Sequence, residues 1–522
     1  MASGEVPPEE QMGEVGMEKP ILSFTSHSRR LPLIDEVFRS HVENADACGM
    51  RVCLALQEDS VPSMTEYQKG LVRTGKIELL TIEKDHGSNT KWTLCRRKYP
   101  DATMVVVDDD IVYGTDGIKR LLRRAADNPG ALVCRCCRVI PTGAADIPVV
   151  FNTDRPWAYA KIVAAGGYGD TTRDLFCRAS FVLPAGTAFP EHSHGCVYPP
   201  GFPKRFDIPD ECRFDDDVLV GAMAARQETP LLFAGDCGDE ADRALGLFGL
   251  WEDQTGLVPS QTGRTDRAMK AAWPMFRRLS NRVDDVGRTD AWVPFGPAYL
   301  LLNSVTKERW PMATAEAARV GLSPEVVLDD HAIEPELGKR TGKGWSRAGL
   351  AHLRALERYL SSSDGASCVI MEDDIMFLRS TDLLRAALSM APAGFGALRM
   401  DWGSRFNWVA RTREAPPTGC ENEIRKGTMW IDFPAGSGDG CTIVSRECAM
   451  QWLENLKCLR QGVGYDGSDN ALCDACRQVG KPLYVSNPPL CVQAGIGRNF
   501  RPRGCALQAS SFWYSSCQPG RL

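Results

Sequence analysis

From residue 20 onward, short apolar runs alternate with amphipathic stretches. Ile21–Thr25 is an apolar run of strand length, and Pro32–Glu43 spaces its apolar residues as a helix does. Arg51–Leu56 and Ile77–Ile82 read as strands, Thr90–Lys98 as a helix, and Met104–Val107 as a buried strand that ends in acid. This alternation predicts an α/β fold, a mostly parallel sheet with helices on its faces. Parallel sheets bind ligands beyond the carboxyl ends of their strands, and that is where the acids fall.

Residues 236–296 are rich in Gly, Asp and Arg, with a helix expected around Asp266–Leu279, and read as the tail of one domain followed by a linker. At Tyr299–Leu302 a new apolar strand begins, and from there the second half echoes the first. Val107-Asp108-Asp109-Asp110-Ile111-Val112-Tyr113 matches Met371-Glu372-Asp373-Asp374-Ile375-Met376-Phe377 in chemical type at every position. Each stretch follows an apolar strand and precedes a Thr-Asp helix start, at Thr115-Asp116 and Thr381-Asp382. A turn then leads to Ala-Leu and another strand, at Ala131-Leu132 and Ala397-Leu398. Gly-Cys comes next in both halves (Gly195-Cys196, Gly440-Cys441), then an acid opening a helix (Asp217, Asp469) and a Pro-Leu strand start thirteen residues later. Four matches in one order predict two copies of one architecture.

Composition narrows the class. Apolar residues make up 43% of the 522 and charged residues 25%, the balance of a globular protein with real cores. A net charge of −6 with both signs interspersed argues against a nucleic-acid partner, which calls for a basic stripe. No apolar run reaches the length of a membrane span. Residues 1–19 carry five Glu before Lys19 and read as a disordered acidic tail without the features of a secretory signal, so the expected location is the cytoplasm. The 20 cysteines then read as reduced thiols; Cys473 and Cys476 form a CxxC with no second pair to complete a zinc site. Cys134, Cys136 and Cys137 fall in a strand-like run where small thiols pack well.

The acids carry the chemistry. Carboxylates crowded at the end of a buried strand repel one another unless a divalent cation sits among them. Oxygen ligands favour Mg2+ or Mn2+, which keep positions open for phosphate oxygens and make a nucleoside diphosphate a good leaving group. Asp108 and Asp110 in the first half, and Glu372 and Asp374 in the second, are the expected metal ligands; Asp109 and Asp373 complete the motifs. The competing reading is that one acid caps the following helix and the rest are solvated. Asp215-Asp216-Asp217 opens a second helix, where capping by Asp215 and general-base catalysis stand about even; Asp466 and Asp469 are the counterparts. Arg29 and Arg30 after the first strand, Lys91 before the first motif, and Arg309 are candidate holders of a diphosphate, as are Arg498, Arg501 and Arg503. His192 and His194 lie in a Pro/Gly-rich loop, Phe189–Pro203, that reads as an ordinary loop or as the floor of an acceptor pocket.

With these motifs the sequence resembles glycosyltransferases of the GT-A fold, with two tandem Rossmann-like nucleotide-diphospho-sugar domains. Residues 20–235 resemble family-two-type transferases of capsule and surface-polysaccharide synthesis, through Thr25-Ser26-His27-Ser28-Arg29, Lys98–Asp101 leading into Val107–Tyr113, Gly195–Gly201 and Phe214–Val218. Residues 298–495 resemble family twenty-five, the lipooligosaccharide and collagen galactosyltransferase group, through Leu302-Asn303 with Arg309, Gly349–His352, Val369–Phe377, Gly440–Ser445 and Asp466. Asn303-Ser304 and Ala351-His352 depart from that family's usual Asn-Leu and Ser-His. The resemblance implies inverting transfer, often from a UDP-sugar, to a glycan or glycoconjugate acceptor. It also implies that Asp108 and Asp110 contact the sugar-nucleotide and metal and that one of Asp215–Asp217 is the base; Thr25, Asp109, Asn303, His352, Glu372 and Asp373 are further candidate donor contacts. The expected layout is a tail over 1–19, transferase domains over 20–285 and 298–505, a linker over 286–297 and a tail over 506–522. Two alternatives remain: one catalytic domain beside a donor- or glycan-binding one, and a nucleotidyltransferase.

Overall fold

The computed structural model describes residues 19–83, 86–139, 160–168, 175–247, 267–272, 274–276, 290–303, 310–329, 345–377, 381–401, 426–433, 440–460, 468–487 and 490–493. Residues 1–18 of the expected acidic tail, the tail over 506–522, Arg309, Asp466 and the Arg498–Arg503 cluster lie outside them.

The first half is built on strands β1 (Ile21–Thr25), β2 (Arg51–Gln57), β3 (Glu78–Ile82), β4 (Met104–Val106), β5 (Ile111–Val112), β6 (Leu132–Cys134) and β7 (Cys136–Val139). It continues with β8 (Ala160–Ala164), β9 (Leu175–Cys177), β10 (Phe181–Leu183), β11 (Ala188–Pro190), β12 (Cys196–Tyr198), β13 (Leu231–Phe233) and β14 (Arg243–Ala244). Its main sheet has the order β10-β13-β6-β12-β4-β1-β2-β3. Strands β4, β1, β2 and β3 are parallel, as are β6 and β13, while β12 lies antiparallel between β4 and β6.

The second half has β15 (Ala298–Asn303), β16 (Glu325–Asp329), β17 (Ser367–Glu372), β18 (Ile375–Phe377), β19 (Ala397–Arg399), β20 (Trp430–Asp432), β21 (Cys441–Ser445), β22 (Leu483–Ser486) and β23 (Cys491–Gln493). Read from its far edge, the order is β20-β22-β19-β21-β17-β15-β16, which repeats the first sheet strand for strand with β3 left over. The directions repeat as well, with β21 antiparallel between β17 and β19. Each half adds an antiparallel ribbon, β5 with β14 and β18 with β23. The Gly-Cys match is displaced by one ladder step: Cys196 pairs with Val106, whereas Cys441 pairs with Met371, the counterpart of Val107.

Helices cover the sheets where the spacing allows. Helix α1 (Asp35–Cys48) buries Val37, Phe38, His41 and Ala45 and ends on Gly49, whose φ of 66° lets the chain turn back into β2. Helices α2 (Glu66–Arg73) and α3 (Thr90–Lys98) come next. Helix α3 turns Trp92 fully into the core, its indole N–H donating to Asn89 Oδ1 at 3.1 Å. Losing such an anchor costs about 3–5 kcal/mol, so the start of α3 is firmly placed. Among the described residues the further helices are α4 (Thr115–Asp127), α5 (Asp216–Arg226), α6 (Trp310–Arg319), α7 (Trp345–Ser362), α8 (Thr381–Ser389), α9 (Arg446–Arg460) and α10 (Ser468–Val479), and residues 267–272 and 274–276 are helical within the expected Asp266–Leu279 stretch. Among the described residues no helix is long and apolar enough to cross a membrane, and no disulfide occurs.

The halves touch through β9. Arg178 donates from its backbone N to Gly427 O at 3.2 Å and from Nε to Lys426 O at 3.1 Å; Asn487 Nδ2 donates to Phe176 O at 2.7 Å.

Candidate functional site

Strand β4 delivers Asp108, Asp109 and Asp110 to the carboxyl end of the first sheet, beside the ends of β1 and β12. The three carboxylates do not share one environment. Arg30, buried just before a short 3-10 turn, places Nη1 2.5 Å from Asp109 Oδ1 and 3.3 Å from Asp110 Oδ2. Ser26 Oγ donates to the other oxygen of Asp109 at 2.6 Å. Asp109 and Asp110 are thereby anchored inward. Burial and the charges of Asp108 and Asp109 push the Asp110 carboxyl up to about 7 despite Arg30.

Asp108 turns the other way and keeps 29% of its side chain exposed. Lys91, buried at the start of α3, lies with Nζ 2.5 Å from Asp108 Oδ1 and 2.7 Å from Asp216 Oδ2. The two acidic clusters, separate in sequence, thus meet on one ammonium. Burial alone disfavours that charge, but Asp108, Asp216 and Asp217 outweigh it and hold Lys91 protonated.

The three acids of the second cluster have different tasks. Asp215 caps α5, accepting from Val218 N at 3.2 Å. Asp216 is buried between Lys91 and His192 Nδ1, the latter at 2.8 Å. Burial would raise its carboxyl, but these two cations hold it well below the usual range. Asp217 keeps a third of its side chain exposed, and its Oδ1 accepts from the backbone N of His192 at 2.9 Å and lies 2.5 Å from the ring Nδ1. Enclosure and the charge of Asp216 lift it to about 6.

His192, read from the sequence as part of an ordinary loop or the floor of an acceptor pocket, joins the acidic cluster itself. Its ring is 1% exposed, and its far nitrogen lies 2.7 Å from Tyr198 OH. Burial disfavours the imidazolium, yet Asp216 outweighs that and raises His192 to about 9. The only signal in the sequence is its place in a loop that enters β12, the strand beside the acidic one. Among the described residues, His192, Asp216 and Asp217 have ligand atoms within 4.8 Å of one another, close enough for a cation. The imidazole and Lys91 already pair these carboxylates, so the trio reads as a clamp.

Of the remaining expected residues, Thr25 donates from Oγ1 to Ala55 O at 2.7 Å, and Arg29 is exposed. In the second half Glu372 lies beside Leu301 on the ladder, two residues before Asn303 closes β15. Asp373 and Asp374 come directly after it, both buried. Asp469 sits in the first turn of α10, its carboxylate accepting from Asn470 N at 2.9 Å and its carbonyl from Arg399 at 3.1 Å. His352 has no exposed surface, and its ring centroid lies 5.2 Å from that of Trp452.

No family model matches the chain, and no curated protein does either. Solved structures resemble it loosely. A mannosyltransferase from Pyrobaculum calidifontis in complex with GDP-Man and Mn2+ aligns at 11% identity over 53% of this chain and 77% of its own, with a TM-score of 0.24. UTP-bound UGPase from Acinetobacter baumannii aligns at 10% identity over 52% of this chain and 100% of its own, also with a TM-score of 0.24. Similarity of this size leaves substrate and reaction to be argued from the site itself.

Proposed function

We propose that the first half is a glycosyltransferase site that moves a sugar from a nucleotide-diphosphate donor to a glycan or glycoconjugate hydroxyl. The observation that carries this reading is the convergence of Asp108, Lys91, Asp216, Asp217 and His192 at the carboxyl edge of the sheet. Asp217, partly open and lifted toward neutrality, is the general base; Asp216 and Lys91 hold the two clusters together. Arg30 fixes the inner face of the acidic turn.

A divalent cation fits this donor set. Five carboxylates (Asp108, Asp109, Asp110, Asp216, Asp217) face only three cationic side chains, Arg30, Lys91 and His192, and the crowding surfaces as the raised carboxyls of Asp110 and Asp217. Asp108, the open acid of the motif, is the residue that would hold Mn2+ or Mg2+; Asp110, expected to join it, is turned inward onto Arg30. When bound, the ion would neutralise the diphosphate and ease its departure. The second half carries the same strand-end acids on the same topology, and we read it as a second donor site, with Asp374 in the place of Asp110.

The test is release of nucleoside diphosphate by purified protein with Mn2+, UDP- and GDP-sugars and a panel of glycan acceptors. Asp217→Asn should lower turnover about 10²–10⁴-fold, and Asp374→Asn should remove a second, distinct transfer. Folded protein that releases pyrophosphate from UTP and a sugar 1-phosphate, and no diphosphate from any donor, would make it a nucleotidyltransferase instead.

A further inference from the structure

Resting on the transferase reading, we infer that His192 is a positioning residue that aims one particular oxygen of Asp217 at the acceptor. Asp217 Oδ1 takes two contacts from this one residue, the backbone N–H at 2.9 Å and the ring Nδ1 at 2.5 Å. Among the described residues no hydrogen bond reaches Oδ2, while a third of the side chain is open. Oδ1 is therefore occupied and Oδ2 is the oxygen offered outward.

The imidazole cannot turn away from this task. It is 1% exposed, its far nitrogen is fixed by Tyr198 OH at 2.7 Å, and its near nitrogen is also 2.8 Å from Asp216 Oδ2. The backbone that follows is pinned as well. Tyr113 OH donates to Ser193 O at 3.2 Å, Tyr168 OH donates to the same carbonyl, and Arg135 Nε donates to His194 O. Tyr168 stacks on His194, with ring centroids 4.3 Å apart and planes 11° from parallel. A side chain held by three partners is suited to fixing a geometry rather than to moving.

In the transfer step the acceptor oxygen forms its bond to the anomeric carbon as the bond from that carbon to the diphosphate oxygen breaks. The electron pair leaves with the nucleoside diphosphate, and the acceptor proton passes to Asp217 Oδ2. His192 keeps both of its protons throughout, so its loss should misplace the base without altering the donor. A base displaced by about 1 Å costs about 10²-fold.

The experiment compares His192→Ala, His192→Asn and Tyr198→Phe with the wild type. His192→Ala should lower kcat about 10²-fold, leaving the affinity for UDP or GDP with Mn2+, measured by calorimetry, within twofold of wild type. His192→Asn, which restores an N–H donor near the Nδ1 position, should recover at least tenfold of the loss. Wild-type turnover in a folded His192→Ala protein, or loss of nucleotide binding together with turnover, overturns the inference. A readout independent of turnover is the imidazole NMR spectrum: a strongly downfield Nδ1 proton should move upfield in Asp217→Asn, where Asp216 remains its only anionic partner, and shift in Tyr198→Phe. Its absence from the wild type also overturns the inference. The signal without turnover of any donor would instead count against the transferase reading alone.

Discussion

At the scale of single residues, the site depends on neighbouring carboxylates being given unlike surroundings. Asp109 is locked between Arg30 and Ser26, Asp216 between Lys91 and His192, and only Asp108 and Asp217 keep open edges. Their repulsion is not removed but apportioned, and it surfaces as the lifted carboxyls of Asp110 and Asp217. This gives a pH expectation with a definite sign. As pH falls through about 6, Asp217 takes a proton and can no longer accept one, so kcat/KM for the acceptor should fall on that acid limb. A rate profile measured across pH 4.5–8.5 checks it, and a flat profile there would remove Asp217 from the role of base. The acids themselves were legible in the sequence because they break an apolar run where a strand must end. Which of them would face a solvent-open edge was not, since Arg30, Lys91 and His192 arrive from three separate segments.

At the scale of elements, Thr90–Lys98 is helical as expected, whereas the expected helix Pro32–Glu43 divides into a 3-10 turn, Leu31–Leu33, and α1, which runs on to Cys48. The repeated strand order was visible only as four short motif matches, because direction and neighbour choice are properties of the folded ladder. The one-step displacement of Cys441 relative to Cys196 shows the cost of aligning by identity alone. A shift of one position exchanges the two faces of a strand. The place of His192 in the acidic cluster escaped for the same reason: nothing local to Phe189–Pro203 tells that its strand will insert beside β4. The start of α5 carries its own expectation. Asp215 takes the Val218 amide, so Asp215→Ala should lower the free energy of unfolding by about 1 kcal/mol, read from urea melts. No change in the midpoint would mean that the helix start is held by other contacts.

For the whole molecule, the two sheets repeat one plan while their surroundings differ; the four-stranded sheet β11-β7-β8-β9 has no counterpart among the described residues of the second half. That extra sheet makes part of the contact between the halves, and β10 of the main sheet meets α8 as well. Gly427 has φ +66°, and a Cβ there would lie 2.6 Å from Ala165 Cβ and 2.7 Å from Arg178 N. No side chain fits both the backbone and the gap. Gly427→Val should weaken the protein by more than about 1 kcal/mol and separate one calorimetric transition into two. An unchanged single transition would show that the junction matters little to either half.

The antiparallel strand in the middle of each sheet has a consequence for biosynthesis. Strands β4 and β6 are translated well before β12, which lies between them, and β21 likewise comes after β17 and β19. A nascent chain therefore carries a cleft with two bare strand edges, first in one half and then in the other, until the filling strand leaves the ribosome. Such edges invite pairing with foreign strands. Holdase chaperones should accordingly engage this polypeptide in two separate windows of its synthesis.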